Sequence, residues 1–531
     1  MTLIRRILFS LLIFLPSAAS AQFFVTGDDP GKLKWNFIDT ESYRVIYPQG
    51  SDSLARVYAR KLEKYKIPVS RTSGYVTGEG DGKIMPVVMH AYNDANGSVA
   101  WAPKRMDLFT IPSAYDPEPM PWSTMLSIHE SRHVSQMQFG LTERQKPGKW
   151  FLGEGWNIVA FLLYPSTTTT EGDAVVTETA LTPSGRGRTA DFLNYYWVAF
   201  DHGDFRKWFK WRFVSQLRYS PTYYALGYLT IGGYRYLYNY PYFMSEGLHL
   251  AAAHPGRLGC LESVGKNISG KKWDDAWREI CDTMYGKWKA EADRRAPYIP
   301  SERVLPEAKR YTDYSDNLVI GSDLYTIRKG HVHAPALVRI DSTGKEHRIT
   351  GFAPVTSAPK WDDASGTLYW SESVPDERWT LKSGSRIRYM KNGRGAKKSL
   401  RSRELLYNPI YGEKAAASVS YHTDGRSSLE ILDRDNGNKV ASFDAPDTLQ
   451  LVEPAWIKDN IYVTAISENG YGIYTIIDGV WKRVISPQPV MIKDFMSFGD
   501  ELMFTCDRTG VNELYHYDPV SGILRQKTST R

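Results

Sequence analysis

The chain has 531 residues, enough for two or more cored domains, because single cores rarely grow beyond about 250 to 300 residues. Its formal net charge of +7 is mild for that length and is spread along the chain, not gathered into basic runs, so nothing points to nucleic acid. With only Cys260, Cys281 and Cys506, stability cannot rest on a disulfide framework, although an oxidising compartment leaves room for one bridge, Cys260 to Cys281.

The N-terminus reads Met-Thr-Leu-Ile-Arg-Arg, then the apolar run "ILFSLLIFLPSA", then Ala19-Ser20-Ala21 before Gln22. This order of basic, apolar and small residues is that of a secretory signal and predicts cleavage to a mature chain beginning at Gln22. An uncleaved anchor is the competing reading, but the run falls short of the roughly 20 apolar residues that span a bilayer. No cysteine follows the cleavage site, which speaks against a lipid anchor, and no later segment is apolar enough to cross a membrane.

From Trp35 to about Tyr298 strand and helix patterns mix. "YRVIYP" (Tyr43 to Pro48) and "KIMPVVMHAY" (Lys83 to Tyr92) are rich in β-branched and aromatic residues. Between them "SDSLARVYARKLEKYKIPV" places Leu54, Val57, Leu62 and Tyr65 near helical spacing, with Ser51 and Asp52 as candidate caps, giving strand, helix, strand. Two short extended segments, "GSVAWAP" and "MDLFTIP", follow around Lys104 and Arg105. A helix comes next, marked by Leu126, Val134 and Met137 as an apolar stripe and by the absence of proline between Trp122 and Gln145. The remainder of this half is mostly helical in its apolar spacing.

Proline and charge in "RRAPYIPSERVLPE" mark a linker near Ala296 to Glu307. Beyond it a loose unit recurs, as in "SAPKWDDASGTLYWSES", "YNPIYGEKAAASVSYHTDG" and "VEPAWIKDNIYVTAISENG". The period of roughly 40 to 50 residues suits four-stranded propeller blades, about five of them, better than a sandwich. A closed ring requires either a strand from near Tyr311 to complete the last blade or a chain that stops short of closure.

The chemistry concentrates in "STMLSIHESRHVSQMQFG", which contains His129, Glu130 and His133 at the spacing H-E-x-x-H. Residues four apart share a helix face, so both imidazoles can aim at one ion while Glu130 stands beside it to hold a water. A catalytic zinc needs a third protein ligand. Two glutamates are candidates, Glu154 in "FLGEGWN" and Glu171 in "TTTTEGDAVVTETAL". Two helical turns beyond Glu171, Glu178 is placed to orient a ligating histidine, or is simply an exposed helical glutamate.

The strand-helix-strand start, the edge strand, H-E-x-x-H and a following glutamate-glycine resemble the gluzincin metallopeptidases of the peptidase MA type. More narrowly, "EGDAVVTETALTPSGRGR" and "YYALGY" followed by repeating strands are similar to a family of exported bacterial proteins that join such a peptidase domain to a TolB-like β-propeller. The resemblance implies an α+β fold with a zincin-like N-terminal peptidase domain followed by an all-β propeller. The corresponding divisions are a signal peptide at 1–21, the peptidase domain at 22–295, a linker at 296–307 and the propeller at 308–531.

It further implies a zinc ion held by His129, His133 and Glu171, with Glu130 as general base, and a periplasmic or secreted location. An oxyanion donor is expected from a later helix, where Tyr223, Tyr224 and Tyr228 in "SPTYYALGY" are the nearest candidates and Tyr224 is the one assigned. "GSVAWAP" is placed to act as a substrate-binding edge strand. Arg186 or Arg188 in "GRGR" either holds a substrate carboxylate or, as the better expectation, belongs to a solvated basic loop. The expected partners are a peptide or protein substrate and a protein bound by the propeller. A departure from the family pattern, Ser166 followed by four threonines where an aromatic pair usually stands, supports the alternative of a catalytically degenerate binding protein of the bacterial envelope. Hydrolysis of a non-peptide bond is a third class with the same zinc chemistry.

Overall fold

The computed structural model describes residues 28–78, 84–92, 95–163, 166–213, 215, 218–302, 304–305, 308–352, 355–393, 398–399, 405–446 and 449–531. The expected signal peptide and positions 303, 306 and 307 of the expected linker lie outside the described residues.

The N-terminal part begins with strands β1 (Trp35–Asp39) and β2 (Tyr43–Pro48), helix α1 (Asp52–Ser70), and strands β3 (Met85–His90), β4 (Gly97–Trp101) and β5 (Lys104–Phe109). The five strands form one sheet in the order β1-β2-β3-β5-β4. β2, β3 and β5 are parallel neighbours, whereas β4 folds back antiparallel to β5 and ends the sheet as an edge. Helix α1 forms because Leu54, Ala55, Tyr58, Ala59, Leu62, Tyr65 and Val69 recur three or four residues apart and all are buried. The expected caps act differently. Ser51 makes no side-chain cap bond, and the Asp52 carboxylate accepts a hydrogen bond from the Tyr47 hydroxyl at 3.0 Å.

Helix α2 (Trp122–Met137) carries the two histidines, and every residue in it but Ser123 is buried. The apolar stripe expected of an amphipathic helix is therefore only one side of an element packed on all sides. A helix in that position must partner its polar side chains internally, which explains a sequence dense in Ser, His, Glu, Arg and Gln. It is followed by α3 (Lys146–Leu152), α4 (Gly155–Leu163), α5 (Thr167–Leu181), α6 (Ala190–Asp201), α7 (Trp208–Arg212), α8 (Tyr223–Leu237), α9 (Phe243–Ala253), α10 (Cys260–Ser269) and α11 (Trp273–Arg295). One apolar core joins the sheet, α1 and α2, and a second binds the later helices to one another. Cys260 and Cys281 sit in this second core as free thiols, as Cys506 does elsewhere, so the room for a bridge is not used.

From Thr312 the chain forms five four-stranded sheets, each made of consecutive strands, and these are the five blades of a β-propeller. Their first strands are Thr312–Ile320, Lys360–Asp362, Leu406–Tyr411, Gln450–Ile457 and Ile492–Phe498. The strand after Tyr311 belongs to the first blade, and the last blade is made of four consecutive strands. Among the described residues no helix is long and apolar enough to cross a membrane.

Candidate metal centre

Helix α2 presents His129 and His133 on one face, and α5 runs past that face with Glu171 in its second turn. The two helices can do this because α5 is fixed from behind by α8 at a glycine crossing. A Cβ on Gly172 would lie 2.0 Å from the carbonyl carbon of Gly227, and one on Gly227 would lie 1.8 Å from the carbonyl oxygen of Thr168. Only residues without a side chain permit that approach.

The outcome is a triangle of donor atoms. His129 Nε2 and His133 Nε2 are each 3.1 Å from Glu171 Oε2 and 3.1 Å from each other. A point about 1 Å above the plane of such a triangle is about 2.05 Å from all three corners, within the range for a first-row divalent ion bound by imidazole and carboxylate. Among the described residues this is the one group of three or more His, Cys, Asp or Glu side chains whose donor atoms converge in this way.

The outer ring nitrogens are also engaged. Nδ1 of His133 lies 2.9 Å from Oε1 of Gln136, and Nδ1 of His129 lies 3.2 Å from Oε2 of Glu178. At His133 the Gln136 oxygen fixes the tautomer in which Nδ1 carries the proton and Nε2 keeps its lone pair toward the common point, and at His129 the Glu178 carboxylate favours the same tautomer while the Arg186 guanidinium lies beside the same nitrogen. Glu178 is fully buried and is held by Arg186, whose Nε donates to Oε1 at 2.5 Å and whose Nη2 lies 3.1 Å from Oε2 and 3.0 Å from His129 Nδ1. Gln136 is fixed in turn through its amide nitrogen, which donates to the Thr170 carbonyl at 3.0 Å and to Asp173 at 2.8 Å. Asp173 is buried between Arg132 at 2.6 Å and Arg235 at 2.9 Å, so one carboxylate joins α2, α5 and α8.

Electrostatics favour a cation at the centre. Burial opposes protonation of His129, yet its hydrogen bonds to Glu171 and Glu178 outweigh this and raise the imidazole to about 10. Burial likewise raises Glu171, and the charge and hydrogen bonds of the two histidines overcome it, holding the carboxyl well below the usual range. The pull of these carboxylates on a proton is equally a pull on a metal ion. Glu130 differs from its neighbours. Burial pushes its carboxyl up, and its Oε2 is buried without a hydrogen-bond partner.

These groups open into a cavity of about 380 Å³. Its walls include Gly97, Ser98 and Val99 of the edge strand, His129, Glu130, His133 and Glu171, the threonines Thr167 and Thr170, and Glu118, Arg186 and Tyr224. The edge strand comes so close that a Cβ on Gly97 would lie 2.4 Å from Glu130 Oε1. Tyr224 has its ring 6.2 Å from that of His129 and under the Arg186 guanidinium at 5.5 Å. Burial, followed by the Glu171 charge, raises its phenol, which stays protonated.

The other residues singled out in the sequence lie elsewhere. Glu154 accepts a hydrogen bond from the Lys104 backbone at 3.0 Å, in the β4–β5 turn, and is not with the histidines. Tyr228 packs edge-on against Phe192, and Tyr223 stacks on Tyr224 at the helix start. Arg186 is not part of a solvated loop, because its ion pair with Glu178 draws it inward. Arg188 instead caps α5 by donating to the Thr179 and Thr182 carbonyls. Gln136, Asp173, Arg132 and Arg235 escaped the sequence reading. The only local signal was the clustering of polar residues in a segment without a solvent face.

No family model matches the sequence, and no curated protein matches it. Solved structures with some likeness are peptidase-related propeller proteins. They include a puromycin-hydrolyzing peptidase of Mycobacterium tuberculosis, 11% identical over 41% of this chain and 37% of that one, with a TM-score of 0.30. The β-propeller domain of the Trilobed protease from Pyrococcus furiosus is 12% identical over 42% of this chain and 86% of that one, TM-score 0.31. An acylaminoacyl peptidase of Pyrococcus horikoshii is 11% identical over 42% and 46%, TM-score 0.30. The chain thus spans well under two thirds of the mycobacterial peptidase it is compared with, and likeness at this level does not reach the chemistry of the cleft.

Proposed function

We propose that the chain is an exported zinc-dependent metallopeptidase of the gluzincin kind, working in the bacterial periplasm or outside the cell, with the propeller serving substrate or partner binding. The observation that carries this reading is the convergence of His129, His133 and Glu171 on one point beside a buried Glu130 with an unpartnered oxygen. In this reading His129, His133 and Glu171 would hold zinc, which would supply Lewis acidity and a water whose pKa is lowered toward roughly 7. Glu130, buried and lifted above the ordinary carboxyl range, takes a proton and returns it to the leaving amine. Tyr224, with a protonated phenol facing the cavity, donates a hydrogen bond to the developing oxyanion. Glu178 and Gln136 keep the imidazoles in the ligating tautomer. β4, unpaired along its outer edge and lining the cavity, takes an extended peptide as an added strand.

The threonine run, the departure that argues for a degenerate scaffold, forms the first turn of the helix that carries Glu171 and leaves the ligand set intact. The test is metal analysis of the purified protein together with a mixed peptide library. Wild type is expected to hold one zinc and cleave, Glu130→Gln to hold zinc and not cleave, and Glu171→Gln to lose most of the zinc. Retention of zinc by Glu171→Gln, or cleavage by Glu130→Gln, overturns the assignment.

A further inference from the structure

Between α2 and the glutamate-bearing α5 the chain carries an apolar face that the rest of the described molecule leaves bare. Helix α3 buries none of its residues. Its Trp150, Phe151 and Leu152 are 80%, 77% and 54% exposed, with the two aromatic rings in edge contact at 4.7 Å. On α4, packed beside it, Ile158 and Val159 are exposed as well. Side chains of this size normally go to the core, and a bare cluster of them marks a surface with a partner.

This face is not a loose flap. The Gln145 amide donates to the Ala251 and Ala252 carbonyls at 3.2 Å and accepts from Trp156 Nε1 at 2.9 Å, so the helix pair is tied to the end of α9. Glu154 is tied to the β4–β5 turn. The structure therefore holds the Trp-Phe-Leu cluster outward from a buried polar anchor.

The charges around it are mainly positive. Arg144, Lys146 and Lys149 stand within two turns of the cluster. Of the two acids in the segment, Glu143 pairs with Lys146 and Glu154 is turned onto a backbone N–H. We propose that this face docks the protein on an anionic phospholipid bilayer, with Trp150, Phe151 and Leu152 entering the interfacial layer and Arg144 and Lys149 meeting the headgroups. A projecting cluster on a helix that buries nothing needs no shape-matched groove in a fluid interface, and aromatic residues rimmed by basic ones suit that layer. Because α4 also contributes Phe161 to the cavity wall, docking sets the cleft beside the bilayer.

The experiment uses the purified chain beginning at Gln22, so that the apolar leader cannot itself bind lipid. It is sedimented with vesicles of phosphatidylcholine alone and of phosphatidylcholine mixed with phosphatidylglycerol. The expected result is binding to the anionic vesicles that weakens at raised salt. It should fall about 10-fold or more in a Trp150→Ser, Phe151→Ser variant whose unfolding temperature is unchanged, and fall also in Lys149→Glu. Wild type that stays in the supernatant, or a double variant that binds like wild type, overturns the proposal. So does a concentration-dependent dimer that the double substitution dissolves while vesicle binding is absent, since a second copy would then cover the face.

Discussion

At the scale of single residues, the side chains behind the histidines are expected to matter nearly as much as the histidines. Glu178 is buried, faces His129 Nδ1 at 3.2 Å and is neutralised by Arg186. Glu178→Gln keeps an acceptor but removes the charge that strengthens the imidazole as a donor to a cation. If the triad holds zinc as proposed, its zinc affinity is expected to fall about 10- to 100-fold, measured by competition with a chelator, while the fold is retained. An unchanged affinity would show that Glu178 serves only to bury Arg186. His90 offers a different test, because it lies outside this site. Its Nδ1 is 2.7 Å from Asp29 and its Nε2 is 3.2 Å from Asp107, which also accepts from Arg105 at 2.8 Å. Burial disfavours the imidazolium, but the two carboxylates overcome it and raise His90 to about 9. The folded-state value is above the unfolded one, so this stabilisation is fully present below about pH 6.5 and is lost as pH rises to about 9. A shift of that size corresponds to about 3 kcal/mol. Wild type should therefore lose stability between those pH values by more than His90→Gln does, as read from unfolding midpoints. Parallel pH profiles for the two proteins would refute the pairing.

At the scale of elements, the glycine crossing of α5 and α8 sets where Glu171 stands. In Gly227→Ala the new Cβ would meet the Thr168 carbonyl at 1.8 Å, a backbone atom that cannot swing aside. The helices must part, at a cost of about 3 kcal/mol or more, and Glu171 must move with α5. The expected outcome is a lower denaturation midpoint together with, on the proposed reading, reduced zinc content, and a variant with both unchanged would show that the crossing is not tight. Much of this element-level arrangement was legible. His129 and His133 at a spacing of four define a helix face, and the alternating strands after Thr312 give the blades. Helical spacing put Glu171 and Glu178 on one helix, and it was the family resemblance, not the spacing, that set Glu171 with the two histidines. What escaped was long-range. The bond from Arg132 to Asp173 spans 41 positions, and no periodicity tells which carboxylate will meet a buried guanidinium. The same holds for Gln136, which reads as an ordinary surface residue of an amphipathic helix until α2 is seen to have no surface. Arg186 was expected in solvent because its partner Glu178 lies on the preceding helix, a contact that depends on the turn between them.

At the scale of the whole molecule, the segment between β5 and α2 joins the two parts, which the linear pattern gave no reason to expect. Ile111 and Ala114 belong to the same apolar cluster as Tyr407, Val419, Leu451 and Val463 of the propeller. Around them Tyr115 donates to Asp316 at 2.6 Å, the Asn408 amide donates to the Ala114 carbonyl at 2.8 Å, the Trp122 N–H donates to Gln450 at 3.1 Å, and Lys493 pairs with Asp116 at 3.5 Å. Those partners come from the first strands of blades one, three, four and five. Among the described residues no strand is shared between the first and last blades, this segment bridges four of the five blades, and it also sends Glu118 into the cleft to meet Arg186. Neither part should then hold its structure without the other. Calorimetry is expected to give one unfolding transition for the purified chain. Asn408 is the residue to test, because its amide also donates to the Val452 carbonyl at 2.7 Å and its backbone has φ +46°. Asn408→Ala strands two buried carbonyls and puts a less tolerant residue in the left-handed region, a loss of about 2 to 4 kcal/mol. It should lower the single transition and, if the chain is the peptidase proposed above, reduce cleavage with it, although it lies in the propeller and touches no residue of the cleft. Two separate transitions in wild type, with Asn408→Ala moving only one and leaving activity intact, would show that the propeller is an independent attachment and that the bridging segment carries no coupling.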